Sequence, residues 1–258
     1  VPESVADPLG YYLNNTVKSR ALIATAVAKG VKHFIFSSTA AVYGAPETMP
    51  VTEDTPKAPV SPYGSSKLMT ETMLADTAVA HDFHYAALRY FNVAGADPKG
   101  RTGQSTKGAT HLIKVACETA QGKRSHLDVY GTDYPTPDGT CVRDYIHVSD
   151  LVRAHSDALA YLRSGGRSIA MNCGYSRGFS VLEVIEAVRR VSGQDFAVRK
   201  TDRRAGDPPE IVAASDLIRR TLDWQPKCDD LDLIVRHALD WEARLAERAT
   251  SLTSRNGP

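Results

Sequence analysis

Long apolar runs are missing from this 258-residue chain. None approaches the ~20 residues that a membrane-spanning helix needs. Cysteine is sparse: Cys117, Cys141, Cys173 and Cys228 lie far apart, with no C-x-x-C pair. That excludes a disulfide framework and a thiolate metal site, and it predicts buried reduced thiols and no bound metal. Neither sign of charge is in excess. A formal net charge of +1 gives no ground for a nucleic-acid or membrane-surface partner, and neither is expected. The opening Val-Pro-Glu-Ser-Val-Ala-Asp-Pro has no basic or apolar stretch of the secretory kind, so a cytoplasmic protein is the default. Internal repeats and low-complexity linkers are also lacking. What is there, 42% hydrophobic and 24% charged residues, suits one large globular domain or one and a half smaller ones.

Helical and strand patterns alternate along the chain. Leu9, Tyr12, Leu13, Val17, Leu22, Ile23 and Val27 keep helical spacing over 8–29, and Gly30 follows as a stop. Residues 31–36 form an apolar run ending in Ser37-Ser38-Thr39, as a parallel strand buried on both faces would. Five prolines make 44–62 a loop. A helix over 63–80 and a strand over 84–91 come next, so the fold class expected is α/β with crossovers onto a parallel sheet. Beyond Asn92, the glycine-rich stretch 95–108 predicts a mobile loop. Then come a helix near 109–121, strands near 127–130 and 142–147, and a helix over 150–163 capped by Ser149 or Asp150. A strand over 168–173, a helix 181–192 capped by Ser180, a final helix 228–248 and a frayed tail 249–258 complete the pattern.

Tyr63-Gly-Ser-Ser-Lys67 is the most informative element. Tyr and Lys at i and i+4 share a helix face, so a phenol and an ammonium reach the same ligand. The ammonium is expected to lower the phenol pKa from ~10 towards neutrality, as a general base for a hydroxyl requires. Alone, Y-x-x-x-K is a weak signal that fits an exposed helical pair equally well. Its context sharpens it: Ser37-Ser38-Thr39 ends a buried strand at the carboxyl edge, where parallel sheets bind ligands, and Thr39 offers a second hydroxyl. By themselves those three residues also suit a cap or a strand-end turn.

Five segments together resemble a known family: Phe36-Ser-Ser-Thr-Ala-Ala-Val-Tyr-Gly44, Ser61-Pro-Tyr-Gly-Ser-Ser-Lys-Leu68, Leu88-Arg-Tyr-Phe-Asn92, Asp138-Gly-Thr-Cys-Val-Arg-Asp-Tyr-Ile-His-Val148 and Arg203-Arg-Ala-Gly-Asp-Pro208. The first three are similar to the extended short-chain dehydrogenase/reductases. The last two resemble the UDP-glucose (UDP-galactose) 4-epimerases among them, and the likeness runs from about residue 2 to 245. It implies a partial doubly wound, Rossmann-type sheet with a smaller α/β substrate domain. Residues 1–92, returning at about 144–175, would belong to the NAD-binding part, and 93–143 with 176–248 to the UDP-sugar part. It further implies NAD as cofactor, a UDP-sugar as substrate, and a homodimer through the helices at 9–29 and 63–80.

Carried over by resemblance, Tyr63 is the base, Lys67 its electrostatic partner and a ribose ligand, and Thr39 the hydroxyl that orients the reacting oxygen. Asn14, Ser37, Ser38, Tyr90 and Phe91 would line the cofactor. Asn92 would bond the sugar, and His111 with Leu112 would contact it or its phosphates, although the family often has asparagine at the former. Asp128, Val129 and Tyr130 map onto the nucleotide pocket, Arg143 and Arg204 onto the pyrophosphate, and Asp207 onto a ribose hydroxyl. Ile211 falls where side-chain size admits or excludes N-acetyl groups. The reaction implied is reversible inversion at C4 of UDP-glucose through a 4-keto sugar, as part of galactose metabolism. Epimerases of UDP-xylose/UDP-arabinose or of UDP-N-acetylhexosamines, and a non-catalytic UDP-sugar-binding remnant, stay open. A dehydratase is disfavoured because Ala40-Ala41, not an acidic pair, follows Thr39.

The sequence holds no G-x-x-G-x-x-G turn; Gly100 to Gly108 lie in a loop after the catalytic strands. In the family this turn opens the first βαβ unit. At about 30 residues per unit, roughly 80–90 residues of cofactor domain are expected to precede Val1 in a full-length relative.

Overall fold

The structure is a computed structural model that describes residues 2–106, 108–204 and 206–255, without the side chains of Pro2 and of 249–255. Three helical segments open it: α1 (Pro2–Ala6), α2 (Pro8–Tyr11) and α3 (Lys18–Ala28), with a π-helical stretch Tyr12–Val17 joining the last two. Gly30, at φ +70°, turns the chain into β1 (His33–Thr39). After a short 3-10 turn, Ala40–Val42, and the proline-rich loop come α4 (Pro62–Ala80) and β2 (His84–Tyr90). The order continues through β3 (Asn92–Ala94), α5 (Leu112–Ala120), β4 (Leu127–Tyr130), β5 (Val142–His147), α6 (Val148–Arg163), β6 (Ile169–Cys173) and β7 (Gly178–Ser180). It closes with α7 (Val181–Ser192), β8 (Val198–Thr201), β9 (Glu210–Ile211), α8 (Asp216–Leu222) and α9 (Leu231–Arg255).

β1, β2 and β6 form one parallel sheet in the order β1-β2-β6, with α4 and α6 as crossovers, so the fold is α/β and Rossmann-like. A second sheet gathers β3, β7 and β9 around β5, and β4 pairs with β8. The main core lies between sheet and helices: Leu88 and Met171, register partners on β2 and β6, are fully buried with Ile146, Leu162, Val188 and Trp224. Burying each such side chain contributes about 1.5–3 kcal/mol. Phe36, Leu74 and Phe83 fill a second cluster beneath α3 and α4.

Several expectations need correction. α6 begins at Val148, and its cap is His147, whose Nδ1 accepts from Ser149 N at 3.0 Å. Asp150 is instead fully buried and accepts from the Tyr175 hydroxyl and from Lys227 N and Cys228 N. The glycine-rich loop is tied down: Trp241 Nε1 donates to Gln104 O at 3.1 Å and Arg101 grips Asp97. α9 runs to Arg255 through most of the expected frayed tail, of which 256–258 lie outside the described residues. All four cysteines are free and buried.

Candidate active site

The site is built where β1 ends. Strand alternation sends Ser37 and Ser38 to opposite faces. Ser37 meets α6: its hydroxyl lies 2.8 Å from His155 Nε2, and His155 Nδ1 lies 2.8 Å from Leu151 O. The carbonyl needs a donor, so Nδ1 carries the proton and Ser37 donates to Nε2. Ser38 meets α4, where its buried hydroxyl donates to Glu71 Oε1 at 2.5 Å. Its side chain is therefore turned away from the cleft in which it was expected. Thr39 caps the 3-10 turn, its Oγ1 accepting from Ala41 N at 3.1 Å.

α4 starts with Ser61 as N-cap, accepting from Gly64 N at 3.2 Å, and with Pro62 in the first turn. Gly64 has a packing reason. A Cβ there would stand 2.5 Å from Ala41 O, so only glycine lets the first turn of α4 lie against Ala40–Val42. That contact brings the half-buried Tyr63 beside Thr39, near enough for the threonine hydroxyl to act on the phenol. One turn on, Lys67 Nζ donates to Ser37 O at 3.0 Å and lies 5.0 Å from the centre of the Phe36 ring. Tyr90, paired with Thr39 across β1 and β2, has its phenol near the Ser37 hydroxyl. Thr39, Tyr63, Lys67, Ser37 and Tyr90 thus converge on one strand end.

The electrostatics differ from the expected ones. Burial pushes the Tyr63 phenol above its ordinary pKa, and the neighbouring Thr39 hydroxyl opposes this. Burial likewise depresses the Lys67 ammonium. The lysine faces a backbone carbonyl and an aromatic ring, so Thr39 is the group that favours phenolate here.

On the far side of the strand ends, Asn92, His111 and Leu112 line one cavity of about 360 Å3 with Tyr145, Lys114 and Trp241. His111 Nδ1 is 2.8 Å from Gln104 Nε2. Phe91 and Ile211 are buried together with Val42 and Tyr43, forming a wall rather than an open contact surface.

A third group forms at the end of β4. Arg204 stacks over the Tyr130 ring at 3.6 Å, and Arg143 pairs with Asp207 at 3.7 Å. The register of β5 with β9 sets Arg143 beside Ile211. Three residues fall elsewhere. Val129 is buried in the main core, because strand alternation turns it inward between its neighbours. Asp128 is engaged by Arg199 at 2.7 Å. Asn14 is exposed and bonds Lys18 and Asn15, while its neighbour Asn15 is the one that reaches α4, donating to Ser66 at 3.0 Å. The π-helical stretch sets which asparagine points inward.

Sequence reasoning passed over His155, which lies mid-helix with no pattern to mark it, and Glu71. The latter could have been noticed as the next residue of the Tyr63–Lys67 stripe at i+4. Among the described residues no His/Cys/Asp/Glu group could hold a metal ion.

Comparison with known proteins points to the family that the sequence motifs resemble. The chain is 58% identical over 247 residues to the UDP-glucose 4-epimerase of Azospirillum brasilense, covering 96% of this chain and 71% of that one. It superposes on the UDP-glucose 4-epimerase of Brucella ovis in complex with NAD with a TM-score of 0.90 at 44% identity, covering 93% and 74%. With the enzyme of Stenotrophomonas maltophila, which holds NAD and formylated UDP-arabinopyranose, the TM-score is 0.93 at 39% identity, covering 96% and 74%. Residues 1–174 match the profile of the NAD dependent epimerase/dehydratase family, and the chain belongs to that family.

Proposed function

We propose that the protein is an isomerase that inverts C4 of UDP-glucose and UDP-galactose, with NAD as cofactor. The observation that carries this reading is the convergence of Tyr63 and Thr39 at the carboxyl end of a parallel strand, with Lys67 one helical turn away donating to Ser37 O. The residues present fit the riboside end of NAD. An ammonium has three donors, and Lys67 directs one to Ser37 O, leaving the others for a ribose diol beside Tyr63 and Tyr90. Bound NAD supplies the acceptor, and later the donor, of the hydride at the sugar carbon.

Tyr63 takes the proton of the 4-hydroxyl and returns it after the sugar has presented its other face. Thr39 holds the reacting oxygen and stabilises the phenolate. Asn92, His111 and Leu112 contact the sugar, with Phe91 and Ile211 as the wall behind it. A branched side chain at Ile211 favours a hexose without an N-acetyl group. Arg143 and Arg204 clamp the pyrophosphate, where planar guanidinium suits phosphate oxygens. Tyr130 faces the base and Asp207 a ribose hydroxyl. The β1-β2-β6 sheet then serves the cofactor, and the segments around β4, β8 and β9 the nucleotide sugar. A second copy of the chain fits the exposed apolar stripe Leu9, Leu13 and Val17, with Met69 beside it. No described helix is long and apolar enough to cross a membrane.

The test is interconversion of UDP-galactose and UDP-glucose with NAD present. Tyr63→Phe should lower kcat by roughly 10²–10⁴-fold, the usual worth of a general base, with UDP affinity retained. Near-normal turnover of that variant overturns the assignment.

A further inference from the structure

One residue back from the catalytic row, a polar row crosses the sheet. Ser38 on β1, Arg89 on β2 and Asn172 on β6 are register partners. All three are buried where sheet interiors are normally apolar. Glu71 of α4 bridges the first two: it accepts from Ser38 Oγ at 2.5 Å and from Arg89 Nε and Nη2 at 3.0 and 2.6 Å. Arg89 Nη1 donates to the Tyr43 hydroxyl at 2.9 Å, and that hydroxyl donates to Asn172 Oδ1 at 2.7 Å. Asn172 Nδ2 donates to Val51 O and its backbone N to Glu53 Oε1. The network therefore joins α4, all three strands and the segment that follows the 3-10 turn.

A buried ion pair is a poor source of stability, since desolvation consumes most of the attraction. A bidentate pair between a helix and a strand does, however, fix the slide and rotation of one against the other. Its placement makes that matter. Ser38 sits between Ser37, whose carbonyl receives Lys67, and Thr39, whose hydroxyl meets Tyr63. Glu71 sits one turn beyond Lys67 and two beyond Tyr63 on the same helix, so a shift of α4 along β1 opens both contacts at once.

We propose that the Glu71–Arg89 pair, with Ser38, is a positioning clamp that holds Tyr63 and Lys67 of α4 in line with Thr39 and Ser37 of β1. It rests on the reading of Tyr63 as base, and it acts through that residue without touching substrate.

The experiment uses the double variant Glu71→Leu/Arg89→Met, which removes both charges and leaves neither buried alone, in the NAD-loaded protein. The probe is 3-fluorotyrosine at position 63, whose fluorine resonance reports the phenol titration independently of turnover. The clamp predicts a folded double variant with UDP affinity within about threefold of the parent, and with kcat lowered by ~10²-fold, as ~1 Å misplacement of a reacting group entails. It also predicts an upward shift of the fluorophenol midpoint as Tyr63 parts from Thr39. A folded variant with unchanged midpoint and kcat overturns the clamp. If the parent protein lacks epimerase activity, the proposed function fails, while the midpoint still decides the clamp. Should the double variant not fold, Glu71→Gln, which keeps size and hydrogen bonding to Ser38, is read by the same midpoint and against the same two outcomes.

Discussion

The strand-end row and the nucleotide corner hold their side chains by opposite means. At the row, polar groups are buried and each is fixed by several partners: Glu71, Arg89, Tyr43 and Asn172 leave little freedom. At the corner, Arg204 on Tyr130, Arg143 with Asp207 and the two-bond pair of Arg199 with Asp128 are each open to water on at least one side. A base needs sub-ångström placement, which buried networks provide. The flexible pyrophosphate of the proposed nucleotide sugar can instead be gripped by arginines that reorient on binding.

The contrast breaks most readily at its buried side. Glu71→Ala strands the Arg89 guanidinium in the sheet and should cost about 3–5 kcal/mol of unfolding free energy, the range for an orphaned buried charge. A urea titration with a loss below 1 kcal/mol would equate row and corner. Next comes pH. His147 is fully buried, and burial, then the neighbouring His237, depresses its pKa from 6.5 to about 4. Between pH 6.5 and 4 the unfolded chain therefore binds a proton that the folded one refuses, so stability falls as pH drops through that window. The loss is on the order of 3 kcal/mol at pH 4. His147→Asn should flatten the profile of stability against pH, and an unaltered slope would remove His147 as its origin.

At the corner, Arg204→Ala should leave thermal stability unchanged while weakening UDP binding by roughly 10–100-fold, the value of a charge-assisted phosphate contact. Calorimetry with UDP measures it, and an unchanged Kd would take the corner out of the binding site. Smallest of all, Arg199→Ala breaks a solvent-exposed ion pair and should not move the Tm measurably.

Much of the row was legible in the sequence. The apolar run before Ser37-Ser38-Thr39 marks a buried strand, and it gives the otherwise weak Tyr63–Lys67 spacing a context; the structure joins the two. β4, β5 and the Ser180 cap of α7 were readable for the same reason: their alternation or cap chemistry is local. What stayed hidden depends on partners distant in sequence. β8, Val198-Arg-Lys-Thr201, has half-exposed ends and exposed charged residues between them, and it exists because β4 lies beside it. β9 has two residues and no period to detect. Ser38 and Val129 belong to motifs that point to the cleft, but strand alternation turns both side chains away from it. Asn14 is carried over from the resemblance alone, and in the π-helical turn it is its neighbour Asn15 that reaches α4. The i, i+4 spacing predicts that Lys67 acts on the Tyr63 phenol, whereas the ammonium is claimed by the carbonyl of Ser37.

The Tyr43–Asn172 bond spans 129 positions, and that distance has a consequence during synthesis. At roughly 5–20 residues per second, a ribosome takes about 6–25 s to travel from one to the other. For the later part of that interval, once β2 is complete, the nascent chain holds β1, α4 and β2 with one flank of β2 still open to water. An arginine and a glutamate on that unfinished surface keep it hydrated and resist adhesion to other chains. The charges that align the mature cleft thus also guard its half-made precursor.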